Sequence, residues 1–246
     1  MKVLLIGDSC EDRYFYGDVK RLNPEAPVPI LEYKRGVTSK GMVWNVRENL
    51  RSFGVEVYTS THPEEIIKTR FIDEKSNQQI LRSDEEPEIT PISFEFPDEW
   101  KSTYDALVIS DYDKGFITQE KLFELSNWFQ GPVFIDTKKT CIPGNAFIKV
   151  NESEFKKITH FIPDNMIITK GGEGTEYQGK LYPAEKVNVF DVVGAGDTFL
   201  AALTYGYLKY GRIEEAIPLA NKAAAVAVSH RGTYVLTEED VKKILC

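Results

Sequence analysis

The strongest constraint on the fold is the alternation of short apolar segments with helical segments in the second half of the chain. Mostly apolar runs at 106–110, 133–135, 147–150 and 166–169 are separated by segments such as 119–129, which has helical spacing. Runs of this kind are typical of strands buried on both faces. Since parallel strands need crossover connections, the alternation predicts an α/β fold with a mostly parallel sheet between helices.

The flanking segments extend this pattern. Residues 2–7 predict a first buried strand, 44–53 a helix that is closed by Gly54, and 55–58 the next strand. Further along the chain we expect extended structure over 181–189, a short helix over 153–158, and longer helices at 195–210, 213–229 and 238–245.

Two other segments have a polarity pattern that does not suit the main sheet. Residues 69–72 and 78–82 alternate in polarity around turn residues, which is typical of a β-hairpin. The proline-rich stretch 23–29 predicts a loop before another extended segment. We therefore predict a single domain over 1–246, with a small β-sheet lid formed by about 14–33 and 68–82.

Composition excludes several classes of function. The chain has 246 residues, 42% hydrophobic, and a net charge of −8, which argues against nucleic acid or an anionic membrane as a partner. Its three cysteines have no paired spacing, so neither a disulfide framework nor a metal site is expected. We expect a reduced, cytoplasmic location. The histidines also lack metal-ligand spacing; they are His62, His160 and His230.

The segment with the most specific chemistry is 190–199, Phe-Asp-Val-Val-Gly-Ala-Gly-Asp-Thr-Phe, at the start of a predicted helix. Gly194 and Gly196 would let the backbone approach a ligand, and amides at a helix N-terminus bind anions. Asp197 would repel a phosphate unless its role is to accept a proton from an attacking hydroxyl. The turn therefore predicts phosphoryl transfer, with a helix cap and packing glycines as the alternative.

This segment resembles the C-terminal signature of the ribokinase-like (PfkB) carbohydrate kinases. The resemblance implies that Asp197 is the catalytic base and that the amides of Gly194, Ala195 and Gly196 form an anion hole. It also implies the ribokinase-like fold, a mostly parallel sheet flanked by helices with a small β-sheet lid, and the cofactors ATP and Mg²⁺.

The N-terminal half resembles one branch of this family, the kinase domain of the bifunctional heptose kinase/adenylyltransferases. That domain phosphorylates D-glycero-D-manno-heptose 7-phosphate at its anomeric position. The resemblance implies that Asp12 binds sugar hydroxyls, whereas a turn or cap role is the alternative. No nucleotidyl transfer is expected, because the adenylyltransferase part is absent. The segments that carry the resemblance are 7–17, 23–29, 77–84, 110–115 and 135–138.

Asn151 and Glu154 resemble the family's Asn-x-x-Glu element, which implies a role in placing Mg²⁺ and phosphate, in part through water. A capped short helix is the alternative. The stretch 169–174 resembles the nucleotide-side glycine turn, and a hairpin turn is its alternative. Asn221 falls where the family lines its adenine pocket. The predicted nucleotide residues are thus Asn151, Glu154, Thr169, Gly172, Gly174 and Asn221.

Three cations are candidates to bind a phosphate already on the sugar: Arg70, Arg82 and Lys138. We prefer Arg82, because a lid residue could close over the substrate, and a solvated charge is the alternative for each. The family often needs a monovalent cation such as K⁺. Asp191, Val193 and 228–233 resemble the loops that hold it.

The chain departs from the family in the stretch 40–45, Lys-Gly-Met-Val-Trp-Asn, in which Gly41 to Asn45 stand where the family usually has Gly-Gly-Ala-Ala-Asn. Gly41 and Asn45 remain as predicted sugar-binding residues, but Met42 and Trp44 should reshape the floor of the sugar site. The chain is also short after Tyr58 and again after residue 155.

Together these features predict an ATP-dependent sugar kinase, with a small-molecule sugar or sugar phosphate as substrate and a homodimer through the lid as an expected assembly. A kinase for another sugar or nucleoside is one alternative, and a relative that binds without turnover is another. A dinucleotide-dependent dehydrogenase is disfavoured, because no Gly-x-Gly-x-x-Gly follows the first strand.

Overall fold

A computed structural model describes residues 1–93, 95–159 and 163–246 of the chain. Two compact units can be distinguished within these ranges. The larger comprises Met1–Asp8, Met42–His62 and Ile89–Cys246, and the smaller comprises Ser9–Gly41 and Pro63–Glu88.

Strands and helices alternate along most of the larger unit, as predicted. The strands of both units, in chain order, are β1 (Lys2–Gly7), β2 (Ser9–Leu22), β3 (Pro29–Met42), β4 (Glu56–Ser60), β5 (Ile67–Asp73), β6 (Gln78–Glu85), β7 (Ala106–Asp111), β8 (Val133–Thr137), β9 (Phe147–Asn151), β10 (Met166–Thr169), β11 (Thr175–Tyr177) and β12 (Lys180–Tyr182). The helices are α1 (Val43–Ser52), α2 (Trp100–Thr103), α3 (Gln119–Trp128), α4 (Glu152–Phe155), α5 (Ala195–Tyr210), α6 (Ile213–Val228) and α7 (Glu238–Leu245).

The larger unit contains an eight-stranded sheet in the order β12-β11-β10-β9-β8-β7-β1-β4. All neighbouring strands from β10 to β4 are parallel, whereas β11 pairs antiparallel with both β10 and β12 at one edge. Because carboxyl ends of parallel strands meet at one edge of a sheet, Asp8, Asp111 and Asn151 are brought to that edge. The predicted mostly parallel sheet is confirmed.

Both faces of this sheet are buried. Val3 and Leu5 of β1 pack in one cluster with α1, α5 and α6. The alternate residues, Leu4 and Ile6, are also fully buried. Since burial of a large aliphatic side chain stabilises a fold by about 1.5–3 kcal/mol, the strands contribute on both sides, which explains their unbroken apolar sequence.

Helix α5 positions the predicted catalytic turn. It begins after Gly194 and ends at Gly211, and both glycines have positive φ angles, of 76° and 75°. Towards the C-terminal end of α5, a Cβ on Gly206 would lie 2.9 Å from Cα of Ala216 in α6, so the two helices approach closely there. This packing holds α5 against α6.

The smaller unit contains a four-stranded sheet in the order β3-β2-β5-β6. Strands β2 and β5 are parallel, whereas β5 and β6 form the predicted antiparallel hairpin. The segments predicted as a lid lie in this sheet, although its strands begin at Ser9 and end at Glu85, beyond the predicted limits.

Two local predictions were wrong. The extended structure expected over 181–189 ends as a strand at Tyr182, because Pro183 follows and cannot donate to a ladder. The helix expected over 153–158 is the single turn Glu152–Phe155. No helix in the described ranges is both long and apolar enough to cross a membrane.

Candidate active site

The turn before α5 has a conformation that glycine adopts most easily. Gly194 has a φ angle of 76°, and a Cβ there would lie 2.6 Å from Nδ2 of Asn45. A Cβ on Gly196 would lie 2.7 Å from Nζ of Lys149. Amides in the first turn of a helix have no acceptor within that helix, and the helix dipole favours an anion beside them. The predicted anion-hole residues, Ala195 included, are therefore together at a helix N-terminus.

Asp197 is buried in this first turn, with 2% of its surface exposed. Oη of Tyr112 donates to its Oδ1 at 2.8 Å, and Nδ2 of Asn45 donates to its Oδ2 at 3.2 Å. Burial raises the pKa of Asp197 to about 6, although both hydrogen bonds oppose the rise. A carboxylate whose pKa is close to neutrality can take up and release a proton readily, which a general base must do.

Asn45 holds both the base and the turn. Besides its bond to Asp197, its Nδ2 donates to the carbonyl oxygen of Gly194 at 3.2 Å. Its Oδ1 accepts from Nδ2 of Asn49 at 3.0 Å, which fixes the orientation of the amide. The structure thus gives Asn45 a positioning role, and its contact with a sugar stays a prediction.

Next to the turn lies a buried ion pair that sequence reasoning missed. Nζ of Lys149 is 2.6 Å from Oδ2 of Asp136, and both residues are 5% exposed. They are opposite each other in the register of β8 and β9. The charge of Lys149 lowers the pKa of Asp197, whereas that of Asp136 raises it. The available signal was a lysine inside an otherwise apolar strand, because lysine is rarely buried without a partner.

Asn151 and Glu154 form a capping box at α4. Oδ1 of Asn151 accepts from the amide of Glu154 at 2.9 Å, and Oε2 of Glu154 accepts from the amide of Asn151 at 2.8 Å. Oε1 of Glu154 accepts from Nζ of Lys138. Burial alone would lower the pKa of Lys138, but the carboxylates of Asp136, Glu154 and Asp197 raise it above its ordinary value. Lys138 is therefore a held, charged group beside the Asn-x-x-Glu element.

This arrangement fits a hydrated Mg²⁺ better than a directly ligated one. Both carboxylate oxygens of Glu154 already have protein partners. The described part of the chain contains no group of three His, Cys, Asp or Glu side chains that could hold a metal ion. Since Mg²⁺ usually keeps several of its waters, Asn151 and Glu154 could contact it through water.

A cavity of about 400 Å³ gathers the predicted nucleotide residues Thr169, Gly172, Gly174 and Asn221. Gly174 has a φ angle of 115°, and a Cβ there would overlap the carbonyl oxygen of Tyr182. Only glycine fits at this position. Apolar side chains of α5 and α6 complete the lining, namely Phe199, Ala224, Ala225 and Val228.

Asn221 builds one wall of this cavity through hydrogen bonds within the protein. Its Nδ2 donates to the carbonyl oxygens of Tyr182 at 2.9 Å and Pro183 at 3.2 Å, and its Oδ1 accepts from Oγ1 of Thr175 at 2.7 Å. Each polar atom of the amide thus has a protein partner. Asn221 shapes the cavity, and its contact with adenine stays a prediction.

The loops predicted to hold a monovalent cation are tied together. Oδ1 of Asp191 accepts from the amide of Val193 at 3.1 Å, and Oδ2 accepts from the amide of Gly232 at 2.9 Å. The carbonyl oxygen of Val228 accepts from the amide of Phe190 at 2.8 Å. The carboxylate of Asp191 therefore serves the loop, and backbone carbonyls are the groups left to meet a cation.

The smaller unit buries Asp12 against Arg70. Asp12 is 3% exposed and Arg70 is 8% exposed, and Nη1 of Arg70 donates to Oδ1 of Asp12. Sγ of Cys10 lies 3.8 Å from Oδ2 of the same carboxylate. A Cβ on Gly41 would overlap that Oδ2, which explains the glycine. Arg70, a candidate for binding sugar phosphate, is thus engaged with Asp12.

Arg82 has a different setting from Arg70. It lies on β6, is exposed, and forms a bidentate pair with Asp84, at 2.7 and 2.6 Å. Arg82 is therefore engaged with Asp84, and its contact with a sugar phosphate stays a prediction.

Met42 has a backbone conformation that residues other than glycine rarely adopt. It immediately precedes α1 with φ 57° and ψ −126°, and its side chain is buried. Such angles are costly for any residue except glycine. The position is the one where the family usually has its second glycine, so the substitution of Met for Gly keeps a glycine-like backbone.

The histidines and cysteines do not form a metal site among the residues that the structure describes. His62 is buried, and His230 stacks on Tyr234 with 3.6 Å between the ring centroids. His160 lies outside the described residues. None of the three cysteines forms a disulfide bond within the described residues.

Comparison with known sequences identifies relatives over nearly the whole chain. A family model described as pfkB family carbohydrate kinase matches residues 123–240. The bifunctional protein HldE of Nitratiruptor sp. is 30% identical, over 98% of this chain and 64% of that protein. The HldE of Helicobacter pylori strain J99 is 28% identical, over 99% of this chain and 66% of that protein. The chain thus spans slightly less than two thirds of the length of these relatives.

Both alignments are longer than the chain itself, at 297 and 306 residues. The relatives therefore carry residues that have no counterpart here, in agreement with the shortened chain noted in the sequence.

Solved structures show the same fold. The ribokinase of Thermotoga maritima has a TM-score of 0.70 at 16% identity, covering 99% of this chain and 98% of that one. Phosphofructokinase-2 of Escherichia coli, in complex with potassium, has a TM-score of 0.70 at 17% identity, covering 98% and 97%. The predicted ribokinase-like fold and the predicted family resemblance are confirmed.

Proposed function

We propose that this chain transfers the γ-phosphate of ATP to a hydroxyl of a sugar or sugar phosphate, as its match to the pfkB family of carbohydrate kinases over residues 123–240 supports. The proposed acceptor is D-glycero-D-manno-heptose 7-phosphate at its anomeric hydroxyl. The resemblance of segments 7–17 and 77–84 to the heptose kinases supports this acceptor, as does the similarity to HldE proteins.

One observation carries the proposal: Asp197 is buried at the N-terminus of α5 and has a pKa raised to about 6. At neutral pH this carboxylate is ionised and can accept the proton of the attacking hydroxyl. As the hydroxyl loses its proton, its oxygen attacks the γ-phosphorus and the bond to the β-phosphate oxygen breaks, which gives ADP and the phosphorylated sugar.

The charge on the transferring group needs positive partners that are already in place. The amides of Gly194, Ala195 and Gly196 are one proposed set, of which that of Ala195 donates to the carbonyl oxygen of Val192 at 3.3 Å in this structure, and Nζ of Lys149 lies beside Gly196. Fixed donors of this kind stabilise the transition state without further reorganisation. We therefore add Lys149 to the residues proposed for the site.

The cavity beside α6 is the proposed nucleotide site. Thr169, Gly172 and Gly174 of its glycine turn would contact the phosphates of the nucleotide. Its apolar wall suits a purine ring. Asn151 and Glu154 would hold hydrated Mg²⁺, which neutralises phosphate charge when it is bound.

In the smaller unit, Oδ2 of Asp12 lies next to Gly41 and is proposed to accept hydrogen bonds from the hydroxyls of the sugar. Arg82, on the same unit, is a proposed ligand of the phosphate on the sugar. In the larger unit, Asn45 and Lys138 are the proposed contacts.

A monovalent cation, K⁺, is proposed at the loops that contain Asp191 and Val193. The hydrogen bonds between these loops support it, together with the potassium that Escherichia coli phosphofructokinase-2 binds. Dependence of turnover on K⁺, with Na⁺ as the control, tests this point.

A homodimer through the four-stranded sheet is also proposed. The outer strands of this sheet, β3 and β6, are mostly exposed and carry large apolar side chains at Tyr33, Val37 and Leu81. Exposed strand edges with apolar side chains favour pairing with another chain. Sedimentation of the protein would show a monomer if this proposal were wrong.

A kinase for a different sugar is the second candidate, favoured by the segment around Met42. Met42 and Trp44 stand where the family usually has small residues, and Met42 is buried. Larger side chains there would change which sugars fit, without altering the chemistry of Asp197.

The test is ATP turnover against a panel of sugars and sugar phosphates that includes heptose 7-phosphate, with Asp197→Asn as the control. Turnover on the heptose phosphate that the control abolishes supports the full proposal. Turnover on another sugar keeps the reaction and replaces the acceptor. ATP binding without turnover on any acceptor contradicts the kinase proposal and favours a binding role.

A further inference from the structure

Tyr112 contacts the proposed base directly, although nothing in the sequence motif assigns it a role. Its Oη donates to Oδ1 of Asp197 at 2.8 Å, while Asn45 donates to Oδ2. Each oxygen of the carboxylate therefore carries one donor from the protein. Since a carboxylate oxygen can accept two hydrogen bonds, a site for an acceptor hydroxyl remains on the held carboxylate.

The backbone of Tyr112 is fixed by a second buried carboxylate. Oδ2 of Asp8, at the end of β1, accepts from the amide of Tyr112 at 2.7 Å and from that of Lys114 at 3.3 Å. Asp8 is fully buried. These two hydrogen bonds from backbone amides to one buried carboxylate hold the loop after β7 in place, and the side chain of Tyr112 with it.

The ring of Tyr112 also contacts the Asn-x-x-Glu element through Lys138. Nζ of Lys138 lies 5.3 Å from the ring centroid, within the range of a cation–π interaction. The same ammonium group is paired with Glu154, which caps α4 together with Asn151. A continuous series of contacts thus joins the proposed metal and phosphate residues to Asp197.

We propose that Tyr112 is a positioning residue of this site, which holds the carboxylate of Asp197 with its hydroxyl and supports Lys138 with its ring. The proposal rests on the proposed phosphoryl transfer, because it assigns Tyr112 to the base of that reaction. Its hydroxyl is a hydrogen-bond donor to the base, and no bond to substrate is assigned to it.

The charges around Asp197 define what removal of this hydroxyl would do. Burial and the carboxylate of Asp136 raise the pKa of Asp197, whereas Tyr112, Asn45 and the charge of Lys149 lower it. Lys138 is the other nearby cation. With the hydroxyl removed, the ionised form of Asp197 loses a donor, so its pKa moves further upward.

The variant Tyr112→Phe tests this, because it removes the hydroxyl and keeps the ring beneath Lys138. A matched control exists in Tyr234→Phe, since Oη of Tyr234 donates to Oδ2 of Asp240 at the same distance of 2.8 Å. Titration of Asp197 would be followed by NMR of protein labelled with ¹³C at the aspartate carboxyl carbons, and Asp197→Asn assigns the signal. This readout does not depend on the acceptor used.

We expect the Asp197 titration to move upward by about one pH unit in Tyr112→Phe and to stay unchanged in Tyr234→Phe. With the best acceptor from the panel, the acid limb of the kcat profile should move by the same amount, and KM for ATP should stay within about twofold. A purely structural role would lower kcat equally at every pH.

An unchanged Asp197 titration in Tyr112→Phe overturns the inference, whether or not the wild-type protein transfers phosphate. If Tyr112→Phe shows the expected titration shift but the wild-type protein transfers phosphate to no acceptor, the proposed function alone is overturned.

Discussion

Nζ of Lys149 lies 2.7 Å from the point that a Cβ on Gly196 would occupy. This relationship connects a buried lysine to Gly196, the last residue of the proposed anion hole. It means that the absence of a side chain at Gly196 and the presence of a charge at Lys149 depend on one another. The first two predictions follow from it.

Replacement of Gly196 by Ala should remove activity with little loss of fold. The new methyl group would displace Nζ of Lys149 from the turn, so kcat should fall by about a hundredfold, as for loss of one oxyanion donor. The control is Gly206→Ala in the same helix, where the Cβ would meet Ala216. That variant should lose stability and keep its kcat per folded molecule. Equal kcat values for both variants would contradict the prediction.

Removal of Lys149 alone should be more damaging to stability than removal of the whole ion pair. Lys149→Met leaves Asp136 buried without its partner, which should lower the free energy of unfolding by about 3–5 kcal/mol. The double variant Lys149→Met, Asp136→Leu should recover most of that loss in urea unfolding. If the single and double variants unfold at the same urea concentration, the pair is not an electrostatic unit.

Activity should fall on the acid side of neutrality because Asp197 must be ionised to accept a proton. Its pKa is raised to about 6 by burial, so kcat/KM for the acceptor should halve at about pH 6 and fall tenfold per pH unit below that. A pH profile of initial rates would check this. A rate that stays level down to about pH 5 would exclude Asp197 as the base.

The same raised pKa predicts that the proposed base destabilises the fold. In the unfolded chain the carboxyl of Asp197 should have its ordinary pKa of 3.8, whereas in the folded chain its pKa is about 6. The folded state therefore binds more protons between these values, and stability from this group falls as pH rises through that window. Asp197→Asn should raise the free energy of unfolding at about pH 8 by up to roughly 3 kcal/mol, and give no such gain near about pH 4. Urea unfolding at both pH values would check this, and an equal change at both would contradict it.

In the smaller unit, Asp12→Asn should weaken the acceptor specifically. The amide keeps the shape of the carboxylate but turns one acceptor into a donor, so KM for the sugar should rise by about tenfold or more while KM for ATP stays the same. Asp18→Asn is the control, because Asp18 lies on the same strand and is paired with the surface lysines Lys20 and Lys34. A parallel rise in KM for both substrates would indicate a general disturbance instead of a sugar contact.

The order of strands and helices could be predicted because it depends on local patterns. Mostly apolar runs indicated the buried strands, and the glycines around Asp197 indicated the turn before α5. The predicted extended segment continued past Pro183, although a proline cannot donate to a ladder and β12 ends before it.

The partners of the site residues could not be predicted, because they depend on the register between strands that are distant in sequence. Lys149 contacts Asp136 because the pairing of β8 and β9 places these two residues opposite each other. Arg70 reaches Asp12 only since β2 and β5 pair in parallel, with Tyr14 opposite Arg70. Tyr112 was part of a recognised segment, yet its bond to Asp197 depends on how the loop after β7 lies relative to α5.

The near-complete burial of Lys149 and Asp136 has a consequence for how the site responds to ionic strength. At physiological salt, mobile ions screen interactions between exposed charges that are more than about 8–10 Å apart. They cannot enter between two side chains that are each only 5% exposed. The field of this pair on Asp197 should therefore be the same in dilute buffer and in concentrated KCl. The exposed pair of Arg82 and Asp84 has no such protection. Any inhibition by salt should accordingly appear as weaker substrate binding, with the chemical step itself unaffected.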